Sequence, residues 1–461
     1  MIEEHYARLV SDTFAGRKWI LPVDVAAAAT RSVEWLKTLG APEPFVISGS
    51  RGTGVMPDVP DENLVVLGIS DPTMMGAIHS FYSAIHGALP ADVQAKLDAW
   101  DPEGRARVLA SFLDVDQPVG GRSQFGARPP TWLELEDKTV IDALWDEIDV
   151  ARAPSELIAP EVDRMTRALS EFDQGRGIVL AADNRDGWHG GAEATRVVEE
   201  PGDIPAAVAF FASRSDLVRV MPYLEGIPCS IHGLVFPDHV LTVRPVEMMV
   251  LYDRERRRFR YGSVSGFWDP RPDDAEYMRD VARRLGAHLR ESIGYRGALT
   301  IDGVMTRDGF RPTELNPRPG AGLFIVARAA PPPIAVHRML VAGLAMEWHP
   351  EELERHWRSS TTESRTARGL TTVSLTVTGT ESLSVRYQAG EWQVVDDEDE
   401  AHGTLERGPA ASGGVVRILF EDAAVDAGDP AAPAVAAAFR LADELWNTGL
   451  GRLEAATDVR P

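Results

Sequence analysis

A short acidic segment near residue 300 constrains the fold of this chain more than any other part of the sequence. Residues 298–305 and 311–316 alternate as two strands around an Asp-Gly turn signal, which predicts a β-hairpin. A turn centred on Asp308 places Asp302 and Glu314 opposite each other, because both lie six residues from it. Directly paired strand residues have Cβ atoms about 4.5–5.5 Å apart, and like charges there destabilise a sheet. The hairpin therefore predicts a cation between the two carboxylates.

Asn316 adds an amide oxygen to this pair of acids. It lies two residues beyond Glu314, so both side chains point to the same face of the strand. Hard oxygen ligands of this kind suit Mg²⁺ or Mn²⁺, which bind through one or two carboxylates plus substrate phosphates. The alternative is an ordinary surface hairpin whose acidic side chains are solvated.

The motif around these residues resembles the metal-binding signature of the ATP-grasp superfamily. Asp302 and the run Glu314-Leu315-Asn316-Pro317-Arg318 carry the resemblance. It implies that Asp302, Glu314 and Asn316 hold magnesium (or manganese) ions on the phosphates of ATP. It also implies a catalytic role for Arg318, which would reach the transferred phosphoryl group or the substrate carboxylate. The implied fold class is α/β (α+β), an ATP-grasp fold.

The same resemblance predicts the domain organisation. It implies an N-terminal preATP-grasp α/β domain over residues 1–125 that helps to bind the carboxylate substrate. The ATP-grasp core follows over 126–350, with its lid subdomain at about 160–222. Short strand patterns and a last helix predict a small C-terminal α+β domain over 365–461, after a polar linker at 355–368.

Lys138 is a candidate phosphate ligand. Lysine is rare in this chain, with only four against 43 arginines. Glu136-Asp137-Lys138 begins a predicted helix, and a helix N-terminus attracts anions. In ATP-grasp enzymes a basic residue preceded by Asp contacts the ATP phosphates at this place, and Lys138 matches it. The alternative is an exposed lysine that pairs with Asp142 one helical turn later.

A glycine-rich loop at 184–191 follows a predicted strand and resembles the lid of the family. The family carries a second phosphate-binding lysine on that strand, and this chain has Ala181 at the corresponding position. Arg185 or His189 could supply the missing charge from the loop, since both donate hydrogen bonds to phosphate oxygens. The alternative for Trp188 and His189 is a solvent-facing turn.

The sequence of residues 219–226 predicts a strand that leads to a hinge. In the family this segment lines the adenine pocket, so the resemblance assigns the backbone of Tyr223 and Leu224 to the adenine edge. Glu225 is retained beside them.

Arg244 is a second candidate catalytic residue. It lies in an apolar segment at 240–249 that predicts one strand, where an arginine is costly unless it is paired or bound to an anion. A phosphate or a substrate carboxylate would satisfy it. The alternative is a structural pair with a carboxylate elsewhere in the chain.

Composition excludes several classes of partner. A net charge of -23 disfavours nucleic acid and anionic membranes, because their phosphates would be repelled by most of the surface. The single cysteine excludes an internal disulfide. No apolar run is long enough for a membrane span and the start lacks a signal-peptide pattern, so the expected location is the cytoplasm.

The predicted function is that of an ATP-dependent carboxylate–amine ligase. ATP would phosphorylate a substrate carboxylate, and an amine would displace phosphate to form an amide or peptide bond. An amino-acid or peptide ligase is the preferred subclass, because no signal of a carboxylase-type biotin partner is present. Partners are then small-molecule carboxylates and amines, with a homodimer as a possible assembly. The alternatives are an ATP-grasp enzyme with a thiol or hydroxyl acceptor and a nucleotide-binding pseudoenzyme or scaffold.

Overall fold

The computed structural model describes residues 1–460 except 110, 112, 114, 186, 188, 328, 361–364 and 422. Its described part is mixed α/β, with one parallel sheet and two antiparallel sheets. This confirms the predicted fold class. No helix in these residues is long and apolar enough to cross a membrane.

The N-terminal part of the chain builds the parallel sheet. Its strands are Trp19–Val25 (β1), Phe45–Ser50 (β2), Leu64–Val66 (β3) and Arg107–Val108 (β4), and its helices are Ile2–Phe14 (α1), Thr30–Thr38 (α2), Met74–His86 (α3) and Ala91–Trp100 (α4). The strands lie in the order β3-β2-β1-β4 among the described residues. Apolar side chains on both faces of β1 are buried, since helices cover a parallel sheet on both sides.

A small antiparallel sheet follows; it overlaps the region predicted as the lid, about 160–222, and is called the lid below. Its elements are Ile141–Glu147 (α5), Glu156–Ile158 (β5), Val162–Phe172 (α6), Ile178–Ala182 (β6), Thr195–Val198 (β7), Ile204–Ala212 (α7) and Val218–Pro222 (β8). In the described part of this region the strands lie in the order β5-β8-β6-β7. Helices α6 and α7 bury their apolar faces against one side of the sheet, which leaves the other side for the cavity described below.

The remaining chain forms one large antiparallel sheet with helices packed on it. Its strands are Ile227–Val235 (β9), Val240–Thr242 (β10), Val246–Asp253 (β11), Arg258–Ser265 (β12), Gly297–Thr306 (β13), Gly309–Asn316 (β14), Thr366–Val373 (β15), Glu381–Gln388 (β16), Glu391–Val394 (β17), Gly403–Ala410 (β18), Gly413–Glu421 (β19) and Leu453–Ala455 (β20). Its helices are Pro272–Ile293 (α8), Leu323–Val326 (α9), Pro333–Val341 (α10), Pro350–Ser360 (α11) and Ala432–Trp446 (α12).

Strand β15 pairs with β12, so strands of the predicted C-terminal domain continue the sheet of the predicted core. The predicted linker at 355–368 is wrong at both ends, because α11 extends to Ser360 and β15 begins at Thr366. Residues 361–364 lie outside the described part. The single strand predicted at 240–249 is also wrong, since β10 and β11 are separate strands with Arg244 between them.

Gly226 joins the lid to the large sheet. Its φ of 134° lies in a region that favours glycine, and a Cβ there would lie 2.0 Å from the Met305 carbonyl oxygen. The end of the lid therefore approaches β13 closely. This contact places the segment after β8 beside the hairpin of β13 and β14.

Candidate functional site

The hairpin of β13 and β14 pairs Asp302 with Glu314, as predicted. The turn of this hairpin differs from the symmetric turn centred on Asp308 that the sequence predicted. The loop contains only Arg307 and Asp308, and this turn alone would set Asp302 opposite Thr313. A β-bulge at Thr313 adds one residue and brings Glu314 opposite Asp302 instead. The two carboxylates therefore share one face of the sheet because of the bulge.

Asp302 is held in a half-buried position by two side-chain donors. The Ser230 hydroxyl donates to its Oδ1 at 2.5 Å, and the Asn316 amide donates to its Oδ2 at 2.9 Å. Burial and the charge of Glu314 together raise the pKa of Asp302 to about 7, against the hydrogen bond from Ser230 and the charges of Arg318 and Lys138. The excess negative charge makes this point of the structure suitable for a cation.

Lys138 approaches the other carboxylate. Its Nζ lies 3.1 Å from Glu314 Oε1, and its side chain is 14% exposed. Lys138 sits in a turn between a 3₁₀ segment, Pro130–Glu136, and α5, so the prediction of a helix beginning at Glu136 is wrong. Asp142 bonds to Arg219 rather than to Lys138, which contradicts the alternative of an i,i+4 pair on the surface.

Arg318 is fixed by two acceptors. Its Nη2 donates to Asn316 Oδ1 at 2.7 Å, and its Nε donates to Glu136 Oε1 at 3.2 Å. Burial alone would raise the pKa of Glu136, but the charges of Arg318 and Arg128 hold it below its usual value. Glu136 is therefore ionised and anchors the guanidinium of Arg318 beside the acidic pair.

The donor set fits a hard cation that also takes ligands from a substrate. No group of three or more His, Cys, Asp or Glu side chains among the described residues could hold a metal ion alone. Asp302, Glu314 and Asn316 supply two carboxylates and an amide, which matches Mg²⁺ binding through one or two carboxylates plus phosphate oxygens. The raised pKa of Asp302 supports the same fit, because a bound cation would stabilise the ionised carboxylate.

A cavity of about 650 Å³ joins these groups to the lid and to the N-terminal sheet. The predicted site residues that line it are Lys138, His189, Tyr223, Leu224, Glu225, Asp302, Glu314, Asn316 and Arg318. Residues separated by almost two hundred positions in the sequence thus face one space. The cavity lies between the two antiparallel sheets, so a ligand inside it would contact both.

Solved structures share this architecture. The chain is similar to N5-carboxyaminoimidazole ribonucleotide synthetase in complex with ADP, with 11% identity, a TM-score of 0.50 and coverage of 94% of this chain and 97% of that chain. It is also similar to the biotin carboxylase domain of 2-oxoglutarate carboxylase from Hydrogenobacter thermophilus with MgADP, ADP and bicarbonate. In that case the identity is 11%, the TM-score is 0.52 and the coverage is 95% and 90%. The protein has the ATP-grasp fold.

At these identities the similarity concerns the fold. Pyruvate carboxylase from Rhizobium etli, with acetyl coenzyme A, gives 16% identity and a TM-score of 0.53, and the match covers 89% of this chain and 36% of that chain. The sequence matches no protein-family model and no curated protein sequence. The roles of individual residues in this ATP-grasp fold therefore rest on the geometry of the chain itself.

Two predicted site residues do not reach the cavity among the described residues. Arg185 pairs with Asp216 at 2.7 Å on the outer side of the lid loop. Arg244 donates to the carbonyls of Gly266 and Trp268 and pairs with Asp269 at 3.0 Å. The alternative for Arg244, a structural pair with a carboxylate, is what the fold contains. His189 lines the cavity, whereas Trp188 lies outside the described part.

The cation beside Ala181 is Arg219, which the sequence interpretation missed. Strand β6 pairs with β8 so that Ala181 lies directly opposite Arg219, and both side chains line the cavity. Nε and Nη2 of Arg219 bind Asp142 at 2.8 and 2.7 Å, while within the described part of the chain Nη1 contacts only the weak acceptor Met221 Sδ at 3.3 Å. Nη1 can therefore donate to an anion in the cavity. The signal was present in the sequence, since Arg219 also lies in an apolar strand.

The position of Arg219 predicts that its positive charge can be moved to position 181 on the paired strand. We expect Arg219→Met to weaken Mg-ADP binding about tenfold or more, because hydrogen bonds to charged groups contribute about 1.5–3 kcal/mol. Adding Ala181→Lys to that variant should restore part of the affinity, since a lysine there enters the same volume from the paired strand. Titration calorimetry measures both. Arg185→Met is the matched control and should bind as wild type does; a loss of affinity in it equal to that of Arg219→Met would contradict the assignment.

His232 and Thr300 form a second group that sequence reasoning missed. The Thr300 hydroxyl donates to the Arg318 carbonyl at 3.0 Å, so it accepts from His232 Nδ1 at 2.9 Å. Burial lowers the pKa of His232 to about 3, which keeps the ring neutral with its lone pair on Nε2. A Cβ on Gly322 would lie 2.3 Å from that Nε2, so the loop after Arg318 packs directly on the ring. This chain of hydrogen bonds orients the backbone of Arg318.

Tyr223 and Glu225 are tied to the lid by Arg176. The guanidinium lies 4.9 Å from the centre of the Tyr223 ring and its Nη1 lies 3.1 Å from Glu225 Oε1. The Tyr223 N–H donates to the Gly177 carbonyl at 3.0 Å and is thus engaged within the lid. Of the two predicted backbone positions, Leu224 is the better placed to meet a ligand.

Proposed function

We propose that this protein is an ATP- and magnesium-dependent ligase that joins a carboxylate to an amine through an acyl phosphate. The observation that carries the proposal is the paired carboxylates Asp302 and Glu314 in one cavity with Lys138 and Arg318. Two acids held face to face, with cations around them, match the charge pattern of a metal–triphosphate complex. The ADP and MgADP complexes of the matched structures support the same nucleotide and metal.

Each residue then has a defined task. The main chain at Leu224 and the ring of Tyr223 hold the adenine. Lys138 and Arg219, which both line the cavity, donate to phosphate oxygens. Asp302, Glu314 and Asn316 would hold Mg²⁺, which when bound neutralises the phosphates. Arg318 orients the acceptor carboxylate or the transferred phosphoryl group.

The reaction has two steps. A carboxylate oxygen attacks the γ-phosphorus of ATP, and the bond to ADP breaks. The amine nitrogen then attacks the acyl carbon, inorganic phosphate leaves, and the nitrogen loses a proton. The chain contributes positioning and fixed positive charge, which is the main source of catalysis in phosphoryl transfer.

An amino acid or peptide remains the proposed substrate class. Thiol and hydroxyl acceptors are the alternatives within the same chemistry. The case for a pseudoenzyme rested on the absence of a lysine at Ala181 and of acidic residues at Met221 and near Pro228. Arg219 weakens the first of these grounds, because a cation faces the same space. We therefore propose a catalytically active lid.

The test is phosphate release from Mg-ATP with pooled carboxylates, followed by trapping with hydroxylamine. The pool contains amino acids, dipeptides and bicarbonate, the last because one matched structure contains that anion. We expect carboxylate-dependent ADP formation and a hydroxamate of one component. Tight Mg-ADP binding without ADP formation in any pool would overturn the ligase and favour the scaffold.

A further inference from the structure

The N-terminal sheet contributes a carboxylate to the cavity. Asp24 lies at the carboxyl end of β1, and Ser111 and Leu113 follow β4 on the neighbouring strand; all three line the cavity. The order β3-β2-β1-β4 reverses direction between β1 and β4. Ligands of parallel α/β sheets bind in the crevice at such a switch point. Asp24 thus occupies the ligand-binding end of its own sheet as well as the shared cavity.

Asp24 has a fixed position but no counter-ion. Its carboxylate accepts hydrogen bonds from its own N–H and from that of Val25, and burial nevertheless raises its pKa. Gly49 packs against its backbone, where a Cβ would lie 2.9 Å from the Asp24 carbonyl oxygen. None of the arginine, lysine and histidine side chains that the structure describes forms an ion pair with Asp24. An enclosed acid of this kind either takes up a proton or stays ionised beside a cation that a ligand supplies.

The walls around Asp24 are apolar. Met74, Met75 and Ile78 also line the cavity, and they belong to α3, which contacts β1. The lid loop closes over them, since Cβ atoms added to Gly190 and Gly191 would lie 3.3 Å from the side chains of Met75 and Met74. A group that enters this end meets one negative charge and a flexible apolar surface, which thioether side chains provide.

We propose that Asp24 binds the free ammonium group of the substrate, and that the methionines and Ile78 of α3 hold an apolar portion of the same molecule. This inference rests on the proposed function and specifies its substrate. A molecule with an ammonium group near Asp24 and a carboxylate near Arg318 is an amino acid or a short peptide with an unblocked N-terminus. N-acylated or desamino analogues lose the ion pair and leave Asp24 unpaired.

The experiment compares full-length wild type, Asp24→Asn and Asp12→Asn. Asp12 is exposed on α1 and provides a matched change of charge. The probes are two pools at equal concentration: the standard amino acids with leucine- and methionine-containing dipeptides, and the same pool N-acetylated. Phosphate release from Mg-ATP and the melting temperature with Mg-ADP plus each pool are measured.

We expect wild type and Asp12→Asn to prefer the free pool by about tenfold or more in phosphate release, as a charged hydrogen bond predicts. Asp24→Asn should lose most of that preference, while stabilisation by Mg-ADP alone stays unchanged and shows that the fold is intact. An unchanged preference in Asp24→Asn, or equal and measurable phosphate release with both pools in wild type, overturns the inference and leaves the ligase assignment standing.

The ligase assignment and the recognition of an ammonium group by Asp24 are contradicted by different results. In one outcome wild type releases no phosphate with either pool, but the pool with free ammonium groups raises the melting temperature of wild type and not that of Asp24→Asn. The ligase assignment is then wrong, and the recognition of an ammonium group by Asp24 stands. If neither pool changes release or melting temperature in wild type, both are overturned.

Discussion

Glu314→Gln is expected to reduce ATP turnover about 1,000-fold, because it removes one of two charges that face the proposed metal and leaves Lys138 without its carboxylate partner. The change keeps the size of the side chain, so the bulge and the pairing with Asp302 should persist. Phosphate release at saturating Mg-ATP measures the loss.

Two controls separate chemistry from folding. Glu34→Gln is the same substitution at an exposed position on α2 and should leave turnover unchanged. The melting temperature without ligands should be equal to or above that of wild type for Glu314→Gln, since the repulsion with Asp302 is relieved. Turnover of Glu314→Gln at the wild-type level would show that the metal assignment is wrong.

Arg318→Met should lower kcat about 100- to 1,000-fold, a loss comparable with removing one preorganised donor to a developing charge. Glu136 and Asn316 hold the guanidinium at the cavity, and a methionine at this position leaves that place without a donor. Steady-state kinetics with the carboxylate found in the pooled screen measure the effect. The affinity for Mg-ADP should change much less than kcat.

The controls for Arg318 lie on the same hairpin. Arg311→Met is on β14, where Arg311 donates to the carbonyl of Phe310, and should leave kcat unchanged. Arg318→Lys keeps the charge and loses the planar fork, so part of the activity should return. Equal losses of kcat and of Mg-ADP affinity in Arg318→Met would instead indicate that Arg318 only supports the nucleotide site.

The central hairpin was predictable because its information is local. Strand alternation and a turn signal set Asp302 opposite Glu314 within fifteen residues, and the pairing is confirmed. The bulge at Thr313 was not predicted, although it is what sets Glu314 rather than Thr313 opposite Asp302. The pairing of Asp302 with Glu314 was therefore predicted correctly, although the predicted symmetric turn differs from the two-residue turn and bulge in the structure.

Arg219 and Arg244 have roles that the local sequence does not distinguish. Arg219 and Arg244 look alike in sequence, because each lies in an apolar segment that makes an unpaired charge costly. The fold turns Arg219 toward the cavity through the pairing of β8 with β6, and it buries Arg244 against carbonyls of the segment after β12. Only the position of each neighbour decides which arginine is free to meet a ligand.

By itself the sequence determined the fold class, the acidic pair and the family resemblance, all of which depend on short-range patterns of charge, turn residues and strand period. The tertiary structure alone decided that Arg219 stands opposite Ala181 and that Asp24 shares a cavity with Arg318. The physical reason is that these residues come from different sheets, and their distances are set by the packing of the sheets, which no local pattern encodes.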